Sequence, residues 1–414
     1  MGPITIFDKS FLQSLSVDES VWFDHFYLAI VTPFFFVETL ADLAKESKGS
    51  RSSETQVRMI ADKFPDMGGR PCAVHTDLAL ASLFGTNVPM NGVVPVSAGR
   101  PVRHKGKVGV VWEESLEAQA FARWQAEEFG ELERDFARVW RAALTAVPID
   151  AFVDALAAMG IGGASSRTLE EAKAHADAAL ADSSKTESLI ALLVMILGAP
   201  ASLAGRAQKG WREAGSPILD DFAPYAAHVL RVEIFFQVAL SASLISSARP
   251  SNRIDMGYLY YLPFCQVFVS CDRLHGKCAP LFLRPDQDFV QGGGLKLDLS
   301  RINDYYLQLT AEERETGILA FAPIPPLGLD SLSTQMWTRH LREGVMQPDK
   351  SRPMSDSAQA ELAAALDGFR NGTEIQPGEA DFAAAEPDVM VVGRKVRVHR
   401  GSWRQIPESA VPTE

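Results

Sequence analysis

Four carboxylates lie far apart along the chain, at positions from which a folded sheet could bring them together. They are Asp8, Glu38, Asp255 and Asp272. Carboxylate oxygens are the ligands that hard divalent cations prefer, and such cations promote phosphodiester cleavage by activating water and stabilising charged oxygens. Four acids that share one buried site without a cation would repel each other. The residue types therefore predict a divalent-metal site, provided that the fold gathers them.

Two of the acids follow short apolar runs that predict β-strands. Ile4–Phe7 is rich in β-branched residues and leads directly into Asp8, and residues 266–270 lead to Asp272. In open α/β sheets, ligands bind at the edge formed by the carboxyl ends of the strands. The sequence therefore predicts an α/β fold with both aspartates at this edge.

The other two acids fall in segments with helical patterns. Glu38 lies in an apolar helix that resumes after the break at Thr32 and Pro33, and Asp255 lies at the start of an aromatic helical segment. Asp42 is four residues beyond Glu38, so both carboxylates lie on one side of that helix. We interpret Asp42 as a surface acid.

These segments, taken in order, resemble the PIN-like nuclease domain family. Residues 4–10 are similar to the apolar strand ending in Asp-x-Ser/Thr that opens those domains. Residues 37–43 are similar to the segment that carries the family's glutamate, and residues 255–272 resemble the segment with its last two acids. The resemblance covers residues 1–45 and 250–300, about a quarter of the chain, and departs from the family in the gap of about 200 residues between Glu38 and Asp255.

The resemblance implies a PIN-like (Rossmann-like) parallel sheet flanked by helices, with a large, mainly α-helical insertion. It divides the chain into a first part at 1–48, the insertion at 49–249, a second part at 250–300 and a C-terminal region at 301–414. For that last region we predict helices, an acidic linker at 371–387 and a hairpin that pairs Val389–Val392 with Lys395–Val398.

The function implied by the resemblance is that of a metal-dependent nuclease, with RNA as the leading substrate and DNA as the alternative. The four acids would be both the catalytic residues and the ligands of Mg²⁺ or Mn²⁺, and Ser10 and Ser270 would orient them through hydrogen bonds. Two alternatives remain open. The chain could be an inactive scaffold that binds a protein partner, or a second copy of itself, through the helical insertion, or it could be a small-molecule phosphohydrolase.

A net charge of −12 argues against a surface that binds nucleic acid everywhere, so a local basic patch is needed. The most basic run is residues 100–107, from which we predict Arg103 and Lys105 as phosphate contacts. We assign His275 to the same group because it lies close to Asp272 in the sequence.

The composition is typical of a soluble protein, with 47% hydrophobic and 22% charged residues. Four cysteines without a C-x-x-C pair predict no disulfide framework. Two apolar stretches, 189–204 and 229–245, are too short or too often interrupted by polar residues to predict a membrane span. With no basic, apolar leader at the start, we expect a cytoplasmic protein that binds no membrane.

Overall fold

The computed structural model describes residues 2–45, 52–96, 99–145, 149–162, 166–249, 251–342, 355–375 and 388–407. Within these ranges the strands are β1 (Ile4–Phe7), β2 (Leu28–Val31), β3 (Arg70–Pro71), β4 (Arg100–His104), β5 (Lys107–Trp112), β6 (Val267–Ser270), β7 (Asp288–Gln291), β8 (Thr373–Glu374), β9 (Val389–Val392), β10 (His399–Arg400) and β11 (Trp403–Arg404).

The α-helices of the first half are α1 (Lys9–Ser14), α2 (Val17–Phe26), α3 (Pro33–Ala41), α4 (Ser53–Ala61), α5 (His75–Leu83), α6 (Leu116–Gln125), α7 (Glu131–Thr145), α8 (Ile149–Ala158), α9 (Leu169–Ala181), α10 (Thr186–Ile196) and α11 (Ser202–Glu213). Those of the second half are α12 (Leu219–Phe222), α13 (Pro224–Ser241), α14 (Asn252–Gly257), α15 (Arg273–Cys278), α16 (Gly292–Tyr306), α17 (Ala311–Glu315), α18 (Ile318–Phe321), α19 (Leu332–His340) and α20 (Asp356–Arg370). Short 3-10 helices span Asp42–Ala44, Ser183–Lys185, Tyr258–Phe264 and Ala279–Leu281. No helix in the described ranges is both long and apolar enough to cross a membrane.

A five-stranded parallel sheet lies at the centre of the fold, in the order β3-β2-β1-β6-β7. The predicted α/β class with a parallel sheet flanked by helices is therefore confirmed. The chain runs outward from β1 to β3 and later returns to place β6 on the other side of β1. The strand order thus reverses between β1 and β6, and such a reversal creates a crevice at the carboxyl ends of the two strands.

Local sequence signals explain why helices begin where they do around the sheet. Ser16 accepts a hydrogen bond from the backbone of Glu19, whose side chain bonds back to Ser16, and this capping box starts α2. Thr32 caps α3, and Pro33 occupies its first turn, where a missing N–H costs nothing. These caps therefore fix the residue at which each helix begins. They also fix where α2 and α3 lie along the chain relative to β2, which follows α2 and precedes α3.

One large hydrophobic core joins the sheet to the helices around it. Phe7 of β1 packs edge-on against Phe23 and Phe35, with ring centroids 5.5 and 5.0 Å apart. The same core includes Leu189 of α10 and Val229 of α13, both of which lie in the predicted insertion. These helices therefore share the core of the sheet.

The parallel sheet extends into the range 49–249, which we predicted as a mainly helical insertion. β3 pairs with β2 through Ile30 opposite Arg70, so the edge of the sheet lies within that range. A strand of two residues is too short to leave an alternating pattern in the sequence. The same range also contains β4 and β5.

A second sheet has the order β8-β4-β5-β9, and it shows that the predicted C-terminal hairpin is wrong. β9 pairs in parallel with β5, with Val389 opposite Gly109, and has no partner in residues 395–398. The observed hairpin is formed by β10 and β11 instead. An apolar run indicates that a strand forms, but it does not indicate which other strand will pair with it. Of the predicted acidic linker, residues 376–387 lie outside the described residues.

Candidate functional site

Asp8 lies at the carboxyl end of β1, beside the crevice between β1 and β6. Its Oδ1 accepts a hydrogen bond from the backbone N–H of Phe11 at 2.9 Å and thereby caps α1. Its Oδ2 accepts hydrogen bonds from the hydroxyls of Ser10 and Ser270, both at 2.7 Å. The two serines that we expected to orient the acids thus both contact Asp8.

His275 lies directly behind Asp8 and is fully buried. Its Nδ1 is 3.3 Å from Asp8 Oδ2 and 2.8 Å from Ser270 Oγ, and its Nε2 donates to the backbone carbonyl of Asp255 at 2.6 Å. Burial lowers the pKa of His275, but Asp8 and Asp255 outweigh it and raise the pKa to about 9. We had predicted His275 as a phosphate contact. Its complete burial gives it the different role of a fixed cation beside Asp8.

Ser270 connects these groups through one hydroxyl. It donates its proton to Asp8 and accepts from the backbone N–H of Asp272 at 2.8 Å, with His275 Nδ1 as a further donor. Burial alone would raise the pKa of Asp8, but His275 and the two serine hydroxyls hold it below its usual value. Asp8 is consequently an ionised carboxylate with a fixed orientation.

Glu38 projects from α3 toward the same crevice. Its Oε2 accepts from the hydroxyl of Tyr258 at 2.6 Å, and its Oε1 is 3.9 Å from Lys9 Nζ. Burial raises the pKa of Glu38 above its usual value, although Lys9 and Tyr258 oppose the shift. Lys9 also binds both oxygens of Asp42 at 3.1 Å. Asp42 is only 3% exposed, which contradicts our interpretation of it as a surface acid.

Asp255 and Asp272 complete the set of acids. The side chain of Asp255, on α14, forms no hydrogen bond or ion pair within the described part of the chain. Burial raises its pKa to about 7; His275 opposes the rise, and the charges of Glu38, Asp272 and Asp8 add to it. Asp272 caps α15 by accepting from Leu274 N at 2.5 Å. Ser270 joins Asp8 to the backbone of Asp272, and His275 joins Asp8 to the backbone of Asp255, so the segments that carry these three acids meet at one place.

Whether these residues suit a divalent cation depends on donor chemistry and on geometry. The donors are carboxylate oxygens, the type that Mg²⁺ and Mn²⁺ prefer, and a cation would offset the burial that raises the pKa values of Asp255 and Glu38. In the described ranges, however, no group of three or more His, Cys, Asp or Glu side chains is arranged to hold a metal ion. The donor types therefore suit the ion chemically, but the described side chains are not arranged to hold it.

The predicted cations Arg103 and Lys105 lie on the second sheet. Arg103 is an exposed residue of β4, and Lys105 is in the β4–β5 turn with a φ of 48°. Among the residues that the structure describes, neither forms a hydrogen bond or ion pair with the four acids. They remain surface cations that a bound polymer could contact.

Sequence reasoning missed two residues that position Glu38. Lys9 was passed over although it follows Asp8 directly, and Tyr258 was assigned to the apolar core although it lies one helical turn after Asp255. A helical turn places residues three apart on one face, so this spacing was the available signal for Tyr258.

Comparison of the chain with protein-family models, with curated proteins and with solved structures finds no match.

Proposed function

We propose that this protein is a metal-dependent nuclease with a PIN-like domain, and that it cleaves phosphodiester bonds of RNA. The observation that carries the proposal is that Asp8 and Asp272 follow the neighbouring parallel strands β1 and β6, where Ser270 bonds to both and His275 joins Asp8 to the backbone of Asp255. These acids come from widely separated segments, in the order that the resemblance requires. A group of carboxylates at a topological switch point is an expected property of a site that binds a cation and an anionic substrate.

At this site, the protein's own residues orient Asp8, and a bound metal ion would supply the chemistry. Ser10, Ser270 and His275 hold Asp8 in one orientation, so that little reorganisation is needed when a ligand arrives. A Mg²⁺ or Mn²⁺ ion held by the four acids would supply water activation and charge stabilisation.

Glu38 and Asp255 differ in how firmly they are held. Tyr258 and Lys9 restrict Glu38 from one side, whereas Asp255 has no side-chain partner in the described residues. Asp255 can therefore turn toward an ion at the lowest cost, since no hydrogen bond has to be broken. We assign it as the acid that completes the coordination shell.

The test is a cleavage assay on end-labelled single-stranded RNA and DNA, with Mg²⁺, Mn²⁺ or EDTA. We expect cleavage of RNA only with a divalent ion, and a loss of more than about 100-fold in Asp255→Asn and Asp272→Asn. Both variants should fold, because Asp255 lacks side-chain bonds and asparagine caps helices as well as aspartate does.

The matched control is Asp304→Asn, which removes an exposed acid of α16 and should cleave at the wild-type rate. The proposal fails if no polymer is cleaved with either ion, or if Asp255→Asn cleaves as fast as the wild type. Turnover of phosphomonoesters alone would indicate a small-molecule phosphohydrolase.

A second candidate is an inactive scaffold with the same fold. His275 and Lys9 already place positive charge beside Asp8 and Glu38, and no described group of side chains is arranged for a metal. This alternative predicts that millimolar Mg²⁺ or Mn²⁺ leaves the melting temperature unchanged. It also predicts that Asp255→Asn makes the protein more stable, because a repelling charge is removed.

A further inference from the structure

A cavity of about 790 Å³ lies along the free edge of the parallel sheet, between β3 and the second sheet. Residues of β2 and β3 form one wall, and residues of β5 and β9 form the opposite wall. None of the four acids of the candidate site lines it. The volume falls within the range of about 300–1,000 Å³ that is typical of pockets for small ligands.

The wall of this cavity contains an arginine without a counter-ion. Arg70 of β3 has a buried Nε that donates to nothing, and its side chain forms no ion pair with any described residue. Burial is the one influence that lowers its pKa, and no carboxylate offsets that effect. A partly buried, unpaired cation destabilises a fold, so its presence requires a compensating role.

Arg394 and Trp112 also line this cavity. Arg394 donates to the carbonyl of Met67, and burial together with the charge of Arg70 lowers the pKa of Arg394. The indole Nε1 of Trp112 is buried against Gly99, which is not part of the cavity wall.

The acids that line the cavity do not neutralise this charge. Asp66 is occupied by Arg397, with its Oδ2 2.6 Å from the Nε of that arginine. Glu113, Glu114 and Glu117 form no ion pair with either Arg70 or Arg394 in the part of the chain that the structure describes. The cavity therefore has, among the described residues, a guanidinium without an ion-pair partner beside an apolar wall that includes Leu28, Val31 and Val111.

We propose that this cavity binds a small organic phosphate whose aromatic part lies against the apolar wall, a nucleoside monophosphate being the simplest such ligand. Guanidinium groups match phosphate oxygens with paired hydrogen bonds, and a phosphate dianion can accept from both Arg70 and Arg394. The apolar wall and the Trp112 ring suit a planar base. The inference does not depend on the nuclease proposal, because it concerns different residues and a different edge of the sheet.

The experiment is isothermal titration of the full chain with AMP, inorganic phosphate and adenosine, without divalent ions. We expect AMP to bind, and adenosine and phosphate each to bind at least about tenfold more weakly, because each lacks one of the two recognised parts. Arg70→Met should weaken AMP binding by at least about tenfold. No binding of AMP to the wild type, or equal binding to Arg70→Met, would overturn the proposal.

Two variants make the result specific. Arg58→Gln changes the net charge equally, on the exposed face of α4, and should bind AMP like the wild type. Arg394→Met removes the second guanidinium, so it should weaken AMP binding even if Arg70→Met fails to fold. Unchanged AMP affinity in a folded Arg394→Met protein would count against the proposal.

The same phosphate chemistry could come from a free nucleotide or from the end of a nucleic-acid strand. A 5′-phosphorylated dinucleotide that binds as tightly as AMP, with affinity lost in Arg70→Met, would identify the strand end as the ligand. Binding of AMP without binding of the dinucleotide would identify a free nucleotide. Either result supports a phosphate site in this cavity.

Discussion

The ion pair between Asp24 of α2 and Arg400 of β10 allows a sharp test of how the C-terminal segment is held. Both side chains are completely buried, and Arg400 Nη1 is 3.0 Å from Asp24 Oδ2. Asp24 also accepts from the backbone N–H groups of residues 66, 67 and 68, at 2.6–2.9 Å. Arg400 in turn donates to Ser20 and to the carbonyl of Lys63, both at 2.8 Å. One pair thus joins α2, the loop before β3 and the C-terminal hairpin.

The perturbation is Asp24→Asn, which keeps the shape of the side chain and removes its charge. Arg400 would then be a buried cation without a counter-ion, and the new amide would point N–H groups at backbone N–H donors or at Arg400. Breaking a buried pair in this way costs about 3–5 kcal/mol. That cost is a large part of the roughly 5–15 kcal/mol by which proteins of ordinary stability are folded.

The assay is equilibrium urea unfolding of the wild type, Asp24→Asn, Arg400→Met and the double variant. We expect each single variant to lose about 3–5 kcal/mol in the free energy of unfolding, and the double variant to lose less than the sum. Arg404→Met is the control. Its partner Glu315 is 63% exposed, so this variant should lose no more than about 1 kcal/mol. A loss below about 1 kcal/mol in Asp24→Asn, or full additivity in the double variant, would refute the reasoning.

Three further predictions concern acid stability, the candidate site and substrate binding. Burial lowers the pKa of His25 and of His228 to about 4, below the usual 6.5, so the unfolded chain takes up protons first and stability should fall as the pH drops from about 6.5 to 4. Urea unfolding across this range should show a shallower loss in His25→Gln, and an equal loss would contradict the assignment. Ser270→Ala frees Asp8 from one hydrogen bond and should reduce cleavage by about 10–100-fold without unfolding the protein, as measured by single-turnover rates and circular dichroism. Arg103→Gln with Lys105→Gln should raise KM for RNA and leave kcat unchanged, and a change in kcat alone would count against phosphate binding there.

Local patterns in the sequence predicted the strands and strand ends around the site. Asp8 and Ser270 could be placed because an apolar run followed by a polar residue marks the end of a buried strand. β3 could not be predicted, because two residues carry no periodicity. The role of His275 was also beyond the sequence, since proximity to Asp272 along the chain does not reveal that its ring turns inward toward Asp8.

Local sequence patterns also did not predict which residues or strands would pair with each other across the fold. Val389–Val392 was recognised as a strand, but its parallel partner β5 lies nearly 280 residues earlier in the chain. The buried position of Asp42 has the same origin, because Lys9, which neutralises it, is 33 residues away. Contacts of this kind depend on the tertiary fold. A helical or alternating pattern of residues carries no information about them.

The position of β1 between β2 and β6 has a consequence for how the protein is made. β1 begins at Ile4 and its neighbour β6 at Val267, so a long stretch of chain is synthesised between them. At translation rates of about 5–20 residues per second, roughly 10–50 seconds pass between the synthesis of β1 and that of β6. One edge of the nascent sheet stays open for that time, so the early segment depends on its own helices, or on a chaperone, for protection. Shortened chains that end before β6 should consequently aggregate.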